Sequence, residues 1–196
     1  MIAELAELLA VDPSPSATLN LTDPVQPPVS RAEFGEVMSR LASTVSVVTA
    51  SFGGETLGRT ATAVLSLSAT PPAVLVSVDI KAPLADLIIK SGKFSLAMLA
   101  RDQEMVGDAF AGKLGKVDRF ALGVWGTWPS GNPLLYGAAT ALDCELIGRF
   151  ETQTHVLFAG AIIEADTSNP APPLLWYQRQ YQVPRVPGAP EPHDPA

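Results

Sequence analysis

The chain has 196 residues, a net charge of −7 and a pI near 4.7; this is long enough for one domain with a substantial core, and with scattered Lys and Arg it is the wrong composition for a nucleic-acid surface. A single cysteine, Cys144, excludes an intramolecular disulfide, and two histidines leave no metal-ligand spacing to build on. An apolar fraction of 47% with mean hydropathy +0.22 favours extra apolar surface buried in an oligomer, no apolar run approaches the ~18 residues of a membrane span, and the expected location is the cytoplasm.

Residues 1–10 place Ile2, Leu5, Leu8 and Leu9 on one face, a short amphipathic helix that would need a partner surface. Glu4 and Glu7 stand where a targeting signal would be basic. Residues 11–29, with Pro13, Pro15, Pro24, Pro27 and Pro28, read as an extended linker. The expected division is therefore an arm over 1–29, a domain over 30–182 and a Pro-rich, disordered tail over 183–196.

Ser30 and Glu33 form a capping box ahead of Phe34, Val37, Met38 and Leu41 at helical spacing. A strand follows over 44–51. The next segment, GGETLGRT over 53–60, has the spacing of a phosphate-binding loop with Arg59 in place of lysine. Such a loop needs a helix after it, whereas alternating β-branched sequence follows, so Gly53 and Gly54 are assigned to a hairpin turn.

Residues 58–79 read as two strands around Thr70-Pro71-Pro72, the first slim (Thr60, Ala61, Thr62, Ala63, Ser66, Ser68) and the second apolar (Val74, Leu75, Val76, Val78). Slim side chains leave backbone N–H groups and hydroxyls open to something flat, and an isoalloxazine ring would suit such a surface. The same composition also describes a plain barrel wall, and the residues alone leave both readings open.

A helix is expected from Lys81-Ala82-Pro83 to about Lys90, with Gly92 past its end. Then come a strand over 94–100, a helix capped by Asp102 and running to about Ala111, a mobile loop over 112–116 and a short strand over 125–128. Residues 138–150 and 154–166 read as a long hairpin in which Leu142, Cys144 and Leu146 alternate with Asp143 and Glu145. A last strand covers 174–177. Trp125, Trp128, Trp176 and Tyr181 are read as core or dimer-interface aromatics and Cys144 as an inert buried thiol. About seven mostly consecutive strands and three helices favour a mainly β, antiparallel barrel with flanking helices over a doubly wound sheet. No Gly-x-Gly-x-x-Gly follows a strand to hold a nicotinamide cofactor in the Rossmann manner.

Seven strings, FGEVMSRLASTVSVVT (34–49), GRTATA (58–63), SATPPAVLV (68–76), GKFSLAMLA (92–100), DRF (118–120), THVLFAG (154–160) and PLLWY (173–177), occur in one order over roughly residues 31–181. Together they resemble the short-chain flavin reductases, which have an FMN-binding split barrel and are the small components of two-component monooxygenases. The resemblance implies a homodimer that uses NADH or NADPH to reduce FMN or FAD and releases the reduced flavin to a separate monooxygenase. It places Thr60, Ala61, Thr62 and Ala63 at the isoalloxazine edge, through backbone N–H groups and hydroxyls. Asp79, Ile80 and Lys81 would lie along the ribityl-phosphate arm, and Ala97, Met98 and Leu99 would present backbone to the ring. Arg119 and Phe120 would line the cofactor's outer part, and His155 would sit where the nicotinamide docks.

Hydride transfer between stacked rings is chiefly a positioning problem, needing neither nucleophile nor metal. Lys81 or Arg119 is the expected counterion for the flavin phosphate. The chain departs from the family pattern at Arg59, where an apolar residue is usual, at Lys81-Ala82-Pro83 in place of hydroxyls, at Ala97 in place of asparagine and at Thr44 in place of glycine. These departures keep two alternatives open: a stable FMN-binding electron carrier of the same fold, and a flavin-free interaction module whose N-terminal helix and arm dock a partner.

Overall fold

The computed structural model describes residues 15–185. The helix expected over 1–10 and the tail from 186 onward lie outside the described residues. In chain order the elements are β1 (Ser16–Thr18), α1 (Arg31–Met38), β2 (Ser43–Thr44), β3 (Ser46–Phe52), β4 (Glu55–Ala61), β5 (Val64–Ala69), β6 (Pro72–Asp79), α2 (Pro83–Ser91), β7 (Lys93–Met98) and α3 (Glu104–Phe110). They continue with a 3-10 turn (Arg119–Ala121), β8 (Trp125–Thr127), β9 (Pro133–Leu135), β10 (Thr140–Glu151), β11 (His155–Asp166), β12 (Leu175–Tyr177) and β13 (Gln180–Gln182).

The main sheet runs β4-β3-β7-β10-β11-β6-β5, antiparallel throughout, with β1 added parallel to β10. Its two end strands, β4 and β5, are joined by only Thr62 and Ala63. The sheet must therefore curl until its ends meet, which produces an antiparallel split barrel.

Strand alternation sorts the apolar residues into two cores. Val48 and Ala50 of β3 face the first, with Phe94, Leu96, Phe158 and the plug supplied by Leu84, Leu87 and Ile88 of α2. Val45 and Val47 face the second, with Leu99, Phe110, Leu135 and Leu174. Helix α2 begins with Pro83 in its first turn and ends on Gly92 at φ 66°, as its sequence predicts. The Ser30–Glu33 capping box is also formed, and Gly53 and Gly54, at φ 60° and 84°, turn the β3–β4 hairpin.

Four expectations need correction. The slim strand over 58–69 is two strands, because the chain leaves one end of the sheet order at Ala61 and enters the other at Val64. The linker is not wholly outside the sheet: Ser16–Thr18 pair with Arg149–Glu151. Helix α3 starts at Glu104 behind Gln103 rather than on an Asp102 cap; the Gln103 side chain accepts from the Ala100 N–H instead. Asp143 does not face solvent with Glu145. The segment around β8 and β9 covers its side of the sheet, Asn132 Nδ2 donates to its Oδ1 at 3.0 Å, and it is 1% exposed.

Cys144 is fully buried, and burial, with a smaller contribution from Asp143, pushes its thiol up to about 12, so it stays protonated and inert. The four aromatics take the core option: Trp125, Trp128, Trp176 and Tyr181 all pack in or against the second core.

Tyr181 also ties the last hairpin to α3. Its hydroxyl donates to Asp108 Oδ1 at 2.6 Å, Lys113 Nζ donates to the same oxygen at 2.7 Å, and that ammonium lies 4.7 Å from the Trp176 ring centroid. Burial, then the hydrogen bond to the Asp108 carboxylate, holds the Tyr181 phenol above its ordinary range. Burial works against the Asp108 carboxylate, but the bonds from Lys113 and Tyr181 outweigh it and keep that group below its ordinary range. Tyr181→Phe is expected to cost about 1.5 kcal/mol, as for a hydrogen bond to a charged group. Because the folded phenol is raised, its contribution is full below about pH 10 and is lost as pH rises beyond it; the Asp108 contribution fades as pH falls below about 4. Urea titrations of both proteins from pH 3 to 11 check this. A stability difference that persists unchanged at the alkaline end contradicts it.

Candidate functional site: a groove along the β4–β5 link

Three adjoining cavities follow the β4–β5 link. The inner one, of about 610 Å³, is lined by Leu41–Thr44, Ser46, Thr62, Ala63, Val64, Ser66, Ser77, Met98 and Leu157, among others. The middle one, of about 210 Å³, shares Thr62, Ala63 and Ser77 with it and adds Arg59, Thr60, Ala61, Asp79, Leu84 and His155. The outer one, of about 480 Å³, shares Arg59 and Leu84 with the middle one and adds Ala82, Pro83, Arg119 and Phe120. The shared residues make them one groove.

Strand geometry decides which predicted residues reach it. Ala61 packs against the first core, and Thr62 and Ala63 are exposed where the chain changes sheet ends. The Ala63 carbonyl is held by the Ser77 N–H at 3.0 Å. The Thr60 hydroxyl is directed away: it donates to the Gly107 carbonyl of α3 at 2.7 Å, on the side of Val47, its strand partner. Only the Thr60 main chain remains for a ligand. Because β4 ends the strand order, alternate main-chain groups along its outer edge have no strand partner.

Asp79 pairs with His155 across β6 and β11, which brings two distant predicted residues together. The Asp79 carboxylate accepts from the Lys81 N–H at 2.9 Å, and the Ile80 N–H donates to the Thr154 carbonyl at 3.0 Å. These two bonds fix the corner from which the Lys81 side chain projects. His155 Nδ1 lies 2.9 Å from Thr154 Oγ1, and Thr152 Oγ1 accepts from the His155 N–H at 3.0 Å. One ring nitrogen is thereby engaged, leaving Nε2 for a ligand.

Arg119 and Phe120 sit on the 3-10 turn whose start is capped by Asp118, Oδ1 accepting from the Phe120 N–H at 3.1 Å. Arg119 Nη1 reaches the Gly58 carbonyl at 3.4 Å. Gly58 itself has no room for a side chain, since a Cβ there would stand 2.5 Å from the Phe110 ring and 2.9 Å from Thr49 Cγ2. Among the described residues, Arg59, Lys81 and Arg119 form no ion pair, which leaves two cations, Arg59 and Arg119, lining one groove of an acidic chain and a third, Lys81, on the corner between the lining residues Asp79 and Ala82.

Ala97 and Leu99 do not reach the groove. Both are buried in the second core. Ala97 pairs on both sides, with Val47 and Ala141, and the Leu99 N–H and carbonyl are taken by Val45 and Leu174. A central strand has no main chain to spare. Met98 reaches the inner cavity, although its carbonyl already accepts from the Ala139 N–H.

Ser46, Ser77 and Leu84 were not anticipated. Ser46 is fully buried, lines the inner cavity and has no partner for its Oγ. The signal was a hydroxyl interrupting apolar strands, Val45-Ser46-Val47 and Val76-Ser77-Val78.

The chain is similar to known proteins in both sequence and fold. The chain is 35% identical over 161 residues to a protein named FMN reductase (NADH) RutF from Methylorubrum extorquens, covering 82% of this chain and 78% of that one. It is 35% identical over 150 residues to the reductase component of the FADH(2)-dependent resorcinol hydroxylase of a Rhizobium species, covering 76% and 84%. Its fold superposes with a TM-score of 0.75 on the NADH:FAD oxidoreductase SgcE6 of Streptomyces globisporus in complex with NAD and FAD fragments, at 28% identity over 87% of this chain and 99% of that one. A profile of the flavin reductase like domain matches residues 38–185, and the chain belongs to that family.

Proposed function

We propose that the protein is an NAD(P)H-dependent flavin reductase that binds its flavin along the β4–β5 groove and hands the reduced flavin to a separate monooxygenase. The observation that carries this reading is the groove itself: slim walls at Ala61, Thr62 and Ala63 beside the unpartnered Ser46 hydroxyl, continuing to unpaired cations. These features fit a flavin. The wide inner cavity has room for a planar ring system and a buried hydroxyl to meet its polar edge, and Arg59 and Lys81 supply charge for a phosphate.

When bound, the flavin accepts a hydride from the reduced nicotinamide. The chain's own residues do the rest by positioning. Thr62 and Ala63 set the clearance, Ser46 offers a fixed polar group and Lys81 anchors the phosphate from its pinned corner. His155, tethered through Nδ1, orients the nicotinamide at the rim.

A second copy of the chain is the proposed cover for the exposed apolar face of α1, where Phe34, Val37 and Met38 are all exposed and Leu41 continues onto the groove beside Leu65. A homodimer would then complete the inner cavity. A cytoplasmic location is part of the same reading.

The direct test is nicotinamide oxidation by purified protein with FMN and FAD crossed against NADH and NADPH. Rapid oxidation only with added flavin is expected. A yellow cofactor retained through gel filtration would favour the fixed electron carrier, and inactivity in every combination would favour the interaction module.

Lys81→Ala is expected to raise the flavin KM about tenfold, and an unchanged KM would remove Lys81 from the phosphate site. His155→Ala is expected to raise the nicotinamide KM about fivefold or lower kcat by as much, leaving flavin affinity intact. If flavin affinity alone changes, His155 serves the flavin instead.

A further inference from the structure

The loop between α3 and the 3-10 turn forms one wall of the outer cavity, which Ala111, Val117 and Asp118 all line. Its sequence, GKLGKV over 112–117, sets Gly112 and Gly115, at φ 80° and 70°, on either side of Lys113 and Leu114. Glycine at such angles lets a chain pivot.

One side chain of this loop is gripped. Lys113 Nζ lies 2.7 Å from Asp108 Oδ1, 4.7 Å from the Trp176 ring centroid and 4.9 Å from that of Tyr181. All three partners belong to regular elements, Asp108 to α3 and the two aromatics to the paired strands β12 and β13. The rings meet edge to face, with centroids 5.1 Å apart, and the Tyr181 hydroxyl donates to the same Asp108 oxygen at 2.6 Å. The cage is therefore built from outside the loop, and the ammonium is the one piece that the loop supplies. Beyond this grip the loop is loosely packed. Leu114 lies against the second core, but Gly115, Lys116 and Val117 are exposed, and a Cβ at Gly115 would meet nothing within 4 Å.

The geometry points to Lys113 as a latch that holds loop 112–117 as a gate on the outer cavity, and so sets how fast a flavin enters and leaves the groove. The inference rests on the flavin reading above, in which a second copy covers the inner end and leaves the outer end for exchange. A gate that opens more often speeds entry and exit alike, whereas a side chain that touches the ligand changes mainly the rate of exit.

That difference supplies the test. Lys113→Met keeps the apolar stem and removes the charge; Lys113→Arg keeps the charge and can stack on the same rings. Amide hydrogen exchange on the ligand-free proteins reads the latch at Gly112 and Val117, whose N–H groups are bonded to the Ala109 and Gly115 carbonyls. Stopped-flow binding of FMN and of FAD, without nicotinamide, reads the gate. Lys113→Met is expected to speed exchange at those two amides about tenfold while leaving the main-sheet amides unchanged. For each flavin that binds, it should raise association and dissociation rates together, about fivefold, with Kd within about twofold of wild type. Lys113→Arg should bring both readouts back to within about twofold of wild type.

Unchanged exchange would mean that Lys113 does not hold the loop, and unchanged flavin rates despite faster exchange would mean that the loop does not gate the groove. Either result overturns the inference while leaving the flavin reading standing. A rise in dissociation alone would make Lys113 a binding contact and overturn the gate too. Wild-type protein that binds neither flavin would overturn the flavin reading and this inference together.

Discussion

Ala63→Trp is expected to lower flavin-dependent nicotinamide oxidation about 100-fold, the cost of displacing a reacting group by an ångström or so. Ala63 lines both the inner and the middle cavity, so an indole there occupies the passage between them. Because the residue is exposed and only its carbonyl is engaged, by the Ser77 N–H, the substitution should change stability by no more than about 0.5 kcal/mol. That amounts to about 2 °C in a domain of this size. Kinetics and a thermal melt on the same preparation separate the effects. Undiminished turnover with an unchanged flavin KM would show that the ligand does not pass Ala63.

The largest expected loss of stability is at Gly160, in the middle of β11. It pairs with Leu146 on one side and Val74 on the other, so the backbone cannot move aside without breaking two ladders. A Cβ there would overlap the Phe94 ring, standing 2.6 Å from Cε1, and would lie 2.9 Å from the Cys144 Cβ. Both neighbours are fully buried. Gly160→Ala should therefore cost about 3 kcal/mol, the upper end for overpacking a core, and lower the melting temperature by about 10 °C. Adding Phe94→Leu should recover part of that loss, so the two substitutions are non-additive. Additive losses would mean that the Phe94 ring is not what excludes a side chain at Gly160.

The parts of this fold legible in the sequence were those written locally. The Ser30–Glu33 capping box, Pro83 and Gly92 around α2, and the glycine turn at Gly53-Gly54 are short-range patterns, and each formed as expected. Less legible was what depends on partners distant in sequence. Nothing near Asp143 indicates that residues 128–135 cover it, so strand alternation set it apart from Leu142 and Cys144 without showing that it too is buried. The break at Thr62-Ala63 was hidden because slim residues continue on both sides of it, although it is where the chain passes from one end of the sheet to the other.

The candidate site shows the same division. The slim stretch marked the groove, but composition could not tell the Thr60 hydroxyl, spent on Gly107, from the exposed Thr62. Nor could it show that the Ala97–Leu99 strand is central, with its main chain already committed. Pairing brought Asp79 and His155 together across strands separated by about half of the domain's sequence, which no local pattern records.

Diffraction from crystals grown with oxidised FAD tests the central claim most directly. The isoalloxazine should lie beside Thr62 and Ala63 with its polar edge toward Ser46, and its phosphates should lie among Lys81, Arg59 and Arg119. A ring bound on any other face of the barrel, with this groove filled only by solvent, would contradict the account.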